Sequence, residues 1–119
     1  MTVNKLPRVI SAQIQDNTAI VELFVGEDIE YFKGHFDGHP LLPGVVQLDW
    51  VLHFFKAHLI NDFQFKGCDV IKYQQPILPN MQVTLTMVWK SERSKLEFKY
   101  SSASGNHASG KIKVLPHEL

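Results

Sequence analysis

Hydrophobic and polar positions alternate most clearly in the second half of the chain. In Met81–Lys90 (MQVTLTMVWK) every odd position is apolar and every even one is polar except Val88. That is the period-two pattern of a strand with one buried face. Leu96, Phe98 and Tyr100 alternate with Lys95, Glu97, Lys99 and Ser101 in a second strand, and Ser91-Glu92-Arg93-Ser94 reads as the turn between the two. Ile112 and Val114 alternate with Lys111 and Lys113 in a third, after a turn at Gly105-Asn106. Upstream, Asp16-Asn17 separates Val9–Ile14 from Thr18–Val25, the signature of an N-terminal hairpin. Val70–Ile77 is a further strand, ended near Pro76 and Pro79. The pattern thus predicts about six strands.

One segment has a different period. VVQLDWVLHFFKAHLI, residues 45–60, contains no glycine or proline and follows Pro43-Gly44, a pair suited to a helix start. At ~100° per residue, Leu48, Trp50, Val51, Leu52, Phe54, Phe55, Leu59 and Ile60 occupy most of the circumference, which predicts a helix buried on most sides. One central helix among antiparallel strands is an α+β architecture, a sheet wrapped around a helix, in a single domain spanning 1–119.

Composition narrows the function classes. The chain has 119 residues, enough for one core and not for a separate cofactor domain. Its 12 basic and 12 acidic side chains cancel, which removes the simple electrostatic case for nucleic acid. The balance is uneven along the chain: residues 1–85 carry 6 basic and 9 acidic groups, residues 86–119 carry 6 and 3. Lys90, Arg93, Lys95, Lys99, Lys111 and Lys113 are therefore either a basic face for an acidic partner or the solvated sides of amphipathic strands. Cys68 is the single cysteine and cannot close an intrachain disulfide, which favours a reducing compartment. The N-terminus lacks an apolar signal core, and no run reaches the ~20 apolar residues of a membrane span. A small cytoplasmic globular domain is expected.

Candidate chemistry gathers before the helix. Residues 34–45, GHFDGHPLLPGV, contain three glycines and two prolines and form an irregular loop that brings His35 and His39 to the helix start. The first N–H groups of a helix have no internal partners and carry partial positive charge, so a histidine there joins a base to an anion-stabilising site. Asp49 lies one turn into the helix among Val45, Val46 and Leu52, where desolvation raises a carboxyl pKa. His53, four residues on, shares its face and is placed to hydrogen-bond it. Asp49 and His53 are equally readable as a structural polar pair. His35, Asp37 and His39 lack the regular backbone and further ligands of a metal site, so no metal is expected. There is no Gly-x-Ser-x-Gly elbow and no phosphate-cradling loop. Cys68 has no companion motif, and Trp50, Phe54 and Phe55 read as core.

The motif His35-Phe36-x-x-x-Pro40-x-x-Pro43-Gly44-Val45, with an acid fourteen residues after the histidine, resembles the β-hydroxyacyl-acyl-carrier-protein dehydratases of the FabZ/FabA type. The specific motif covers Tyr31 to about His53, and the order of elements matches over most of the chain. The resemblance implies a hot-dog fold, with His35 as catalytic histidine, Asp49 as catalytic acid and His53 supporting that acid. It implies that the Gly44 N–H binds the thioester carbonyl, and that Phe36 and Val45 line the acyl pocket. It further implies a homodimer whose sites pair the histidine of one subunit with the acid of the other, and a higher assembly as a trimer of dimers. The substrate would arrive on the phosphopantetheine of acyl carrier protein, with no other cofactor. Asp49 follows the FabA branch where FabZ has Glu, His53 replaces a common Gln, and Asp37 replaces a common Pro. A short chain of the Asp form is similar to the ApeI-type accessory dehydratases of aryl polyene clusters.

The implied reaction is loss of water from a 3-hydroxyacyl thioester to give the trans-2-enoyl thioester. His35 removes the α-proton, and Asp49 protonates or positions the departing hydroxyl. A one-base version, with His35 returning the proton, is equally compatible. Other outcomes on the same framework are a hot-dog thioesterase, a dehydratase-isomerase and a non-catalytic acyl-carrier-binding protein.

Overall fold

The computed structural model describes residues 4–32 and 40–116. Six strands and one long helix follow in the order β1 (Arg8–Gln15), β2 (Thr18–Val25), α1 (Gly44–His58), β3 (Phe63–Tyr73), β4 (Met81–Lys90), β5 (Lys95–Ser102) and β6 (Gly105–Pro116). The strands form one antiparallel sheet in the order β1-β2-β4-β5-β6-β3. The α+β architecture expected from the alternation is present, a hot-dog fold with one helix against one sheet.

Alternation works where it was most regular. Ala19, Val21, Leu23 and Val25 of β2 are buried, as are Val83, Leu85, Met87 and Trp89 of β4 and Leu96, Phe98 and Tyr100 of β5. These positions pair in register across β2, β4 and β5, with Val21 opposite Leu85 and Leu85 opposite Tyr100. Asp16 turns the first hairpin at φ 55°, and Ser94 closes the β4–β5 turn at φ 53°.

Three expectations need correction. The strand placed at Val70–Ile77 runs from Phe63 to Tyr73. It pairs only with β6 and lies at the sheet edge. Register breaks at Phe65/Gly67 and Cys68/Val70 reset which side chains face inward, and this erases the period of two. Beyond Tyr73, the Gln74 and Gln75 N–H groups both donate to the His107 carbonyl, at 2.8 and 3.3 Å. The turn placed at Gly105-Asn106 is formed by Ala103-Ser104, and Gly105 opens β6 at φ 120°.

The third correction concerns α1, which is buried on one face only. Val46, Gln47, Trp50, Val51, Phe54 and Phe55 face the sheet, whereas Val45, Asp49, His53, Lys56 and Ala57 are exposed. A single sheet covers one side of a helix, so on the other side Val45 is exposed and Leu48 and Leu52 are only partly buried among the described residues. On the buried face, the Phe55 ring lies 5.4 Å from Trp89 and 5.0 Å from Phe63, centroid to centroid. The Trp50 indole donates to the Lys5 carbonyl at 3.0 Å, tying the N-terminal segment across the helix. No described helix is long and apolar enough to cross a membrane.

Candidate active site

The helix start is built by Pro43 and Gly44. Pro43 is the N-cap, and its carbonyl accepts from the Val46 and Gln47 N–H groups, both at 3.1 Å. That leaves the Gly44 and Val45 N–H groups as donors without a partner inside the helix, at the positive end of its dipole. Gly44 is demanded by a close approach. A Cβ there would stand 2.7 Å from Cζ and 2.8 Å from the hydroxyl oxygen of Tyr73. The Tyr73 hydroxyl donates to the Gly44 carbonyl at 3.0 Å, so the end of β3 clamps the first helical residue. Burial, and then the neighbouring Cys68, raise the Tyr73 pKa above its ordinary value.

Two clefts flank this start. The first, of about 290 Å³, is lined by Tyr31, Val45, Val46, Leu48, Asp49 and Leu52. Apart from the Asp49 carboxylate and the Tyr31 hydroxyl its side chains are hydrocarbon. The second, of about 390 Å³, is lined by Leu41, Leu42, Gly44, Gln47, Tyr73, Gln74, Gln75 and Pro76 and is much richer in amide groups. The structure thus brings Gly44, Val45 and Asp49 to one end of α1, as their spacing implied. Val45 is 73% exposed, more than any other large apolar side chain among the described residues.

Asp49 is exposed, where burial was expected. Its side of α1 points away from the sheet. His53 is also exposed, and among the described residues no hydrogen bond joins it to Asp49. Its ring instead lies edge-on to Phe54, 4.9 Å between centroids. His35, Asp37, His39 and Phe36 lie outside the described residues. Among the described residues no group of three His, Cys, Asp or Glu side chains converges as a metal site would.

Three side chains with polar atoms sit deep in the structure, and of these only Tyr100 is marked by the alternation. Gln47 is only 4% exposed; its Nε2 donates to the Leu42 carbonyl at 3.3 Å, and its Oε1 is buried with no partner among the described residues. Tyr100 is fully buried and its hydroxyl donates to the Gln47 carbonyl at 2.6 Å. Burial, with the nearby Tyr73 and Asp49 charges adding, pushes its pKa well above the ordinary value. His107 is fully buried, with Nε2 2.6 Å from Ser102 Oγ and Nδ1 3.1 Å from the Pro76 carbonyl. A carbonyl only accepts, so Nδ1 carries the proton and Ser102 donates to Nε2. Ser102 Oγ also accepts from the Ser104 N–H at 3.2 Å, so this knot fastens the β5–β6 turn to the segment before β4. Gln47 had a sequence signal: it shares the helical face of Trp50, Val51 and Phe54. His107 had none, because its neighbours Asn106, Ser109 and Gly110 hide any period.

A six-stranded antiparallel sheet packed on one long helix, whose Pro-Gly start opens beside an acid-bearing apolar cleft, defines a hot-dog protein. Residues 11–111 match the ApeI-like family, described as ApeI dehydratase, and the chain belongs to that family. The structure is similar to that of the dehydratase heterocomplex ApeI:P from Xenorhabdus doucetiae, with 31% identity and a TM-score of 0.87 over 92% of this chain and 98% of that one. It is also similar to an uncharacterized protein from Erwinia carotovora subsp. atroseptica, at 41% identity and a TM-score of 0.81 over 93% of this chain and 97% of that one. Among curated proteins, the 3-hydroxyacyl-[acyl-carrier-protein] dehydratase FabZ of Koribacter versatilis is 28% identical over 103 residues, covering 76% of this chain. The chain spans 65% of that relative's length and 43% of the FabZ of Haemophilus influenzae.

Proposed function

We propose that the chain dehydrates a 3-hydroxyacyl thioester, presented by acyl carrier protein, to the trans-2-enoyl thioester. The observation that carries this reading is the apolar cleft beside Gly44 with Asp49 in its wall, in a chain of the ApeI-like family. The α-proton of a thioester is weakly acidic, so its removal needs stabilisation of the enolate-like oxygen. The Gly44 N–H at the positive helix end supplies that stabilisation. His35, on the preceding loop, takes the α-proton. Asp49 gives a proton to the 3-hydroxyl, which leaves as water, and His53 supports the acid from the next turn. Phe36 and Val45 line the path of the acyl chain. An acid, a base and an oriented N–H complete the elimination, so the reading calls for no metal, nucleotide or flavin.

A second chain completes the site in this reading. Val45, Leu48 and Leu52 form an apolar strip around Asp49, and β3 offers an unpaired edge. A partner laid there desolvates Asp49, which favours its protonated form, and brings the partner's own His35 to the acid. A homodimer does this with two identical sites, and a trimer of dimers is the larger assembly. Association with a second subunit is in keeping with the similar structure from X. doucetiae, which is a dehydratase heterocomplex. Lys90, Lys95 and Lys113 are neighbours across β4, β5 and β6 and offer the acidic carrier a basic patch, although Asp69 already pairs with Lys95. The cytoplasm, where such thioesters are made, is the proposed location.

The test is product analysis by mass spectrometry with 3-hydroxyacyl thioesters of carrier protein and of coenzyme A. The reading predicts loss of one water with the thioester intact. It also predicts that His35→Ala and Asp49→Asn each lower turnover by at least ~10²-fold in a chain that keeps its assembly state. Release of the free acid, or near wild-type turnover in either variant, overturns it.

A further inference from the structure

Gln47 is buried one turn into α1 with half of its amide unused. Its Nε2 is identified by its partner, because the Leu42 carbonyl accepts only. The remaining atom, Oε1, is therefore an acceptor, buried and unpartnered among the described residues. A buried acceptor without a donor is costly, and its presence asks for a partner. Gln47 is one of the residues that line the cleft formed with Gly44, Tyr73, Gln74 and Gln75, a different cleft from the apolar one that holds Asp49, and its Oε1 lies just beneath that surface. Two residues at ~100° each set Gln47 about 200° around the helix from Asp49. A thioester whose carbonyl rests at the Gly44 N–H then has its hydroxyacyl carbons toward Asp49 and its sulfur side toward Gln47.

We propose that Gln47 is a specificity-determining residue for the carrier: its Oε1 accepts a hydrogen bond from the amide N–H of the arm that delivers the thioester. The inference rests on the dehydratase reading for the orientation of the substrate, and it commits to an arm with an amide close to sulfur. A plain alkyl or hydroxyalkyl thiol offers no such donor. Tyr73, clamped on the Gly44 carbonyl, lines the same cleft.

The experiment compares enoyl thioesters of N-acetylcysteamine with those of its N-methylamide analogue, using the intact protein. Losing one hydrogen bond to a buried neutral acceptor should raise KM about 5–10-fold for the N-methyl compound, with kcat changed less than about twofold. In Gln47→Met the two compounds should become equal, both at the higher KM. Equal KM values in the wild-type protein, or the same ratio kept in Gln47→Met, would overturn the proposal. A reading that needs neither turnover nor a folded variant comes from ¹⁵N spectra of the wild-type protein. The Gln47 side-chain signal should shift on titration with N-acetylcysteamine and stay still with its N-methyl analogue; equal responses overturn the proposal. If that shift appears while no thioester is turned over, the dehydratase reading fails and the amide subsite stands.

Discussion

The Tyr100 hydroxyl is fully buried and gives its one proton to the Gln47 carbonyl, so the tyrosinate form has no place in the folded chain. Its pKa is raised, chiefly by burial. An unfolded tyrosine titrates near ~10. Below that pH both states hold the proton and the stabilisation is fully present. As pH rises past it, the unfolded chain releases a proton that the folded chain keeps, and stability falls. The melting temperature should therefore drop from about pH 10 upward, and Tyr100→Phe should remove part of that slope. At neutral pH the same variant should cost about 1 kcal/mol for the lost hydrogen bond, read by urea titration. An unchanged alkaline slope would contradict this account of Tyr100. Side-chain burial is also where residue-level reading of the sequence failed. Apolar neighbours along the helix suggest that Asp49 lies inside, yet only Val46 among them is buried, while Leu52 is half-buried and Val45 is exposed with Asp49. Gln47 is polar, which hides its burial in the sequence, although it shares the face of Trp50, Val51 and Phe54. Rotation about α1 decided both cases, and a helix apolar on two sides does not say which side the sheet takes.

Among the elements, β2, β4 and β5 were legible because each has a covered face and an open one, and alternation records that difference. β3 was not, since an edge strand with two register breaks has no constant inward face. The helix is Gly44–His58 where 45–60 was expected; Leu59 and Ile60 leave it, both N–H groups turning back to the Phe55 carbonyl at 2.9 and 3.1 Å. The join of β3, β5 and β6 depends on Gly110. A Cβ there would stand 2.6 Å from the Val70 carbonyl oxygen and 2.9 Å from the Phe98 ring. The carbonyl belongs to the backbone of the edge strand and cannot move aside without parting β3 from β6. Gly110→Ala should therefore cost about 1–3 kcal/mol in urea unfolding. It should also raise amide exchange across β3 before the rest of the sheet. A change within about 0.5 kcal/mol, the range of a neutral surface substitution, would contradict that packing role.

At the scale of the whole molecule, the described residues finish a core but leave one side of α1 and the edge of β3 uncovered. The Pro43-Gly44 helix start was legible in the sequence because proline and glycine spacing survives any burial pattern. The half-covered strip was not legible: Val45, Leu48 and Leu52 look like full core residues until the helix is set against its sheet, which leaves Val45 exposed and the two leucines partly buried. A chain whose acid faces outward from an apolar strip has the form of half a site. If each site joins His35 of one copy to Asp49 of the other, two dead variants should repair each other. His35→Ala and Asp49→Asn, inactive separately, are mixed under conditions that exchange subunits, and hydration of an enoyl thioester is measured. About half of the dimers are then mixed, each with one intact site of two, so activity should return to about a quarter of the wild-type value. Continued inactivity of the mixture, with subunit exchange verified by native mass spectrometry, would contradict a site shared between two copies of this chain.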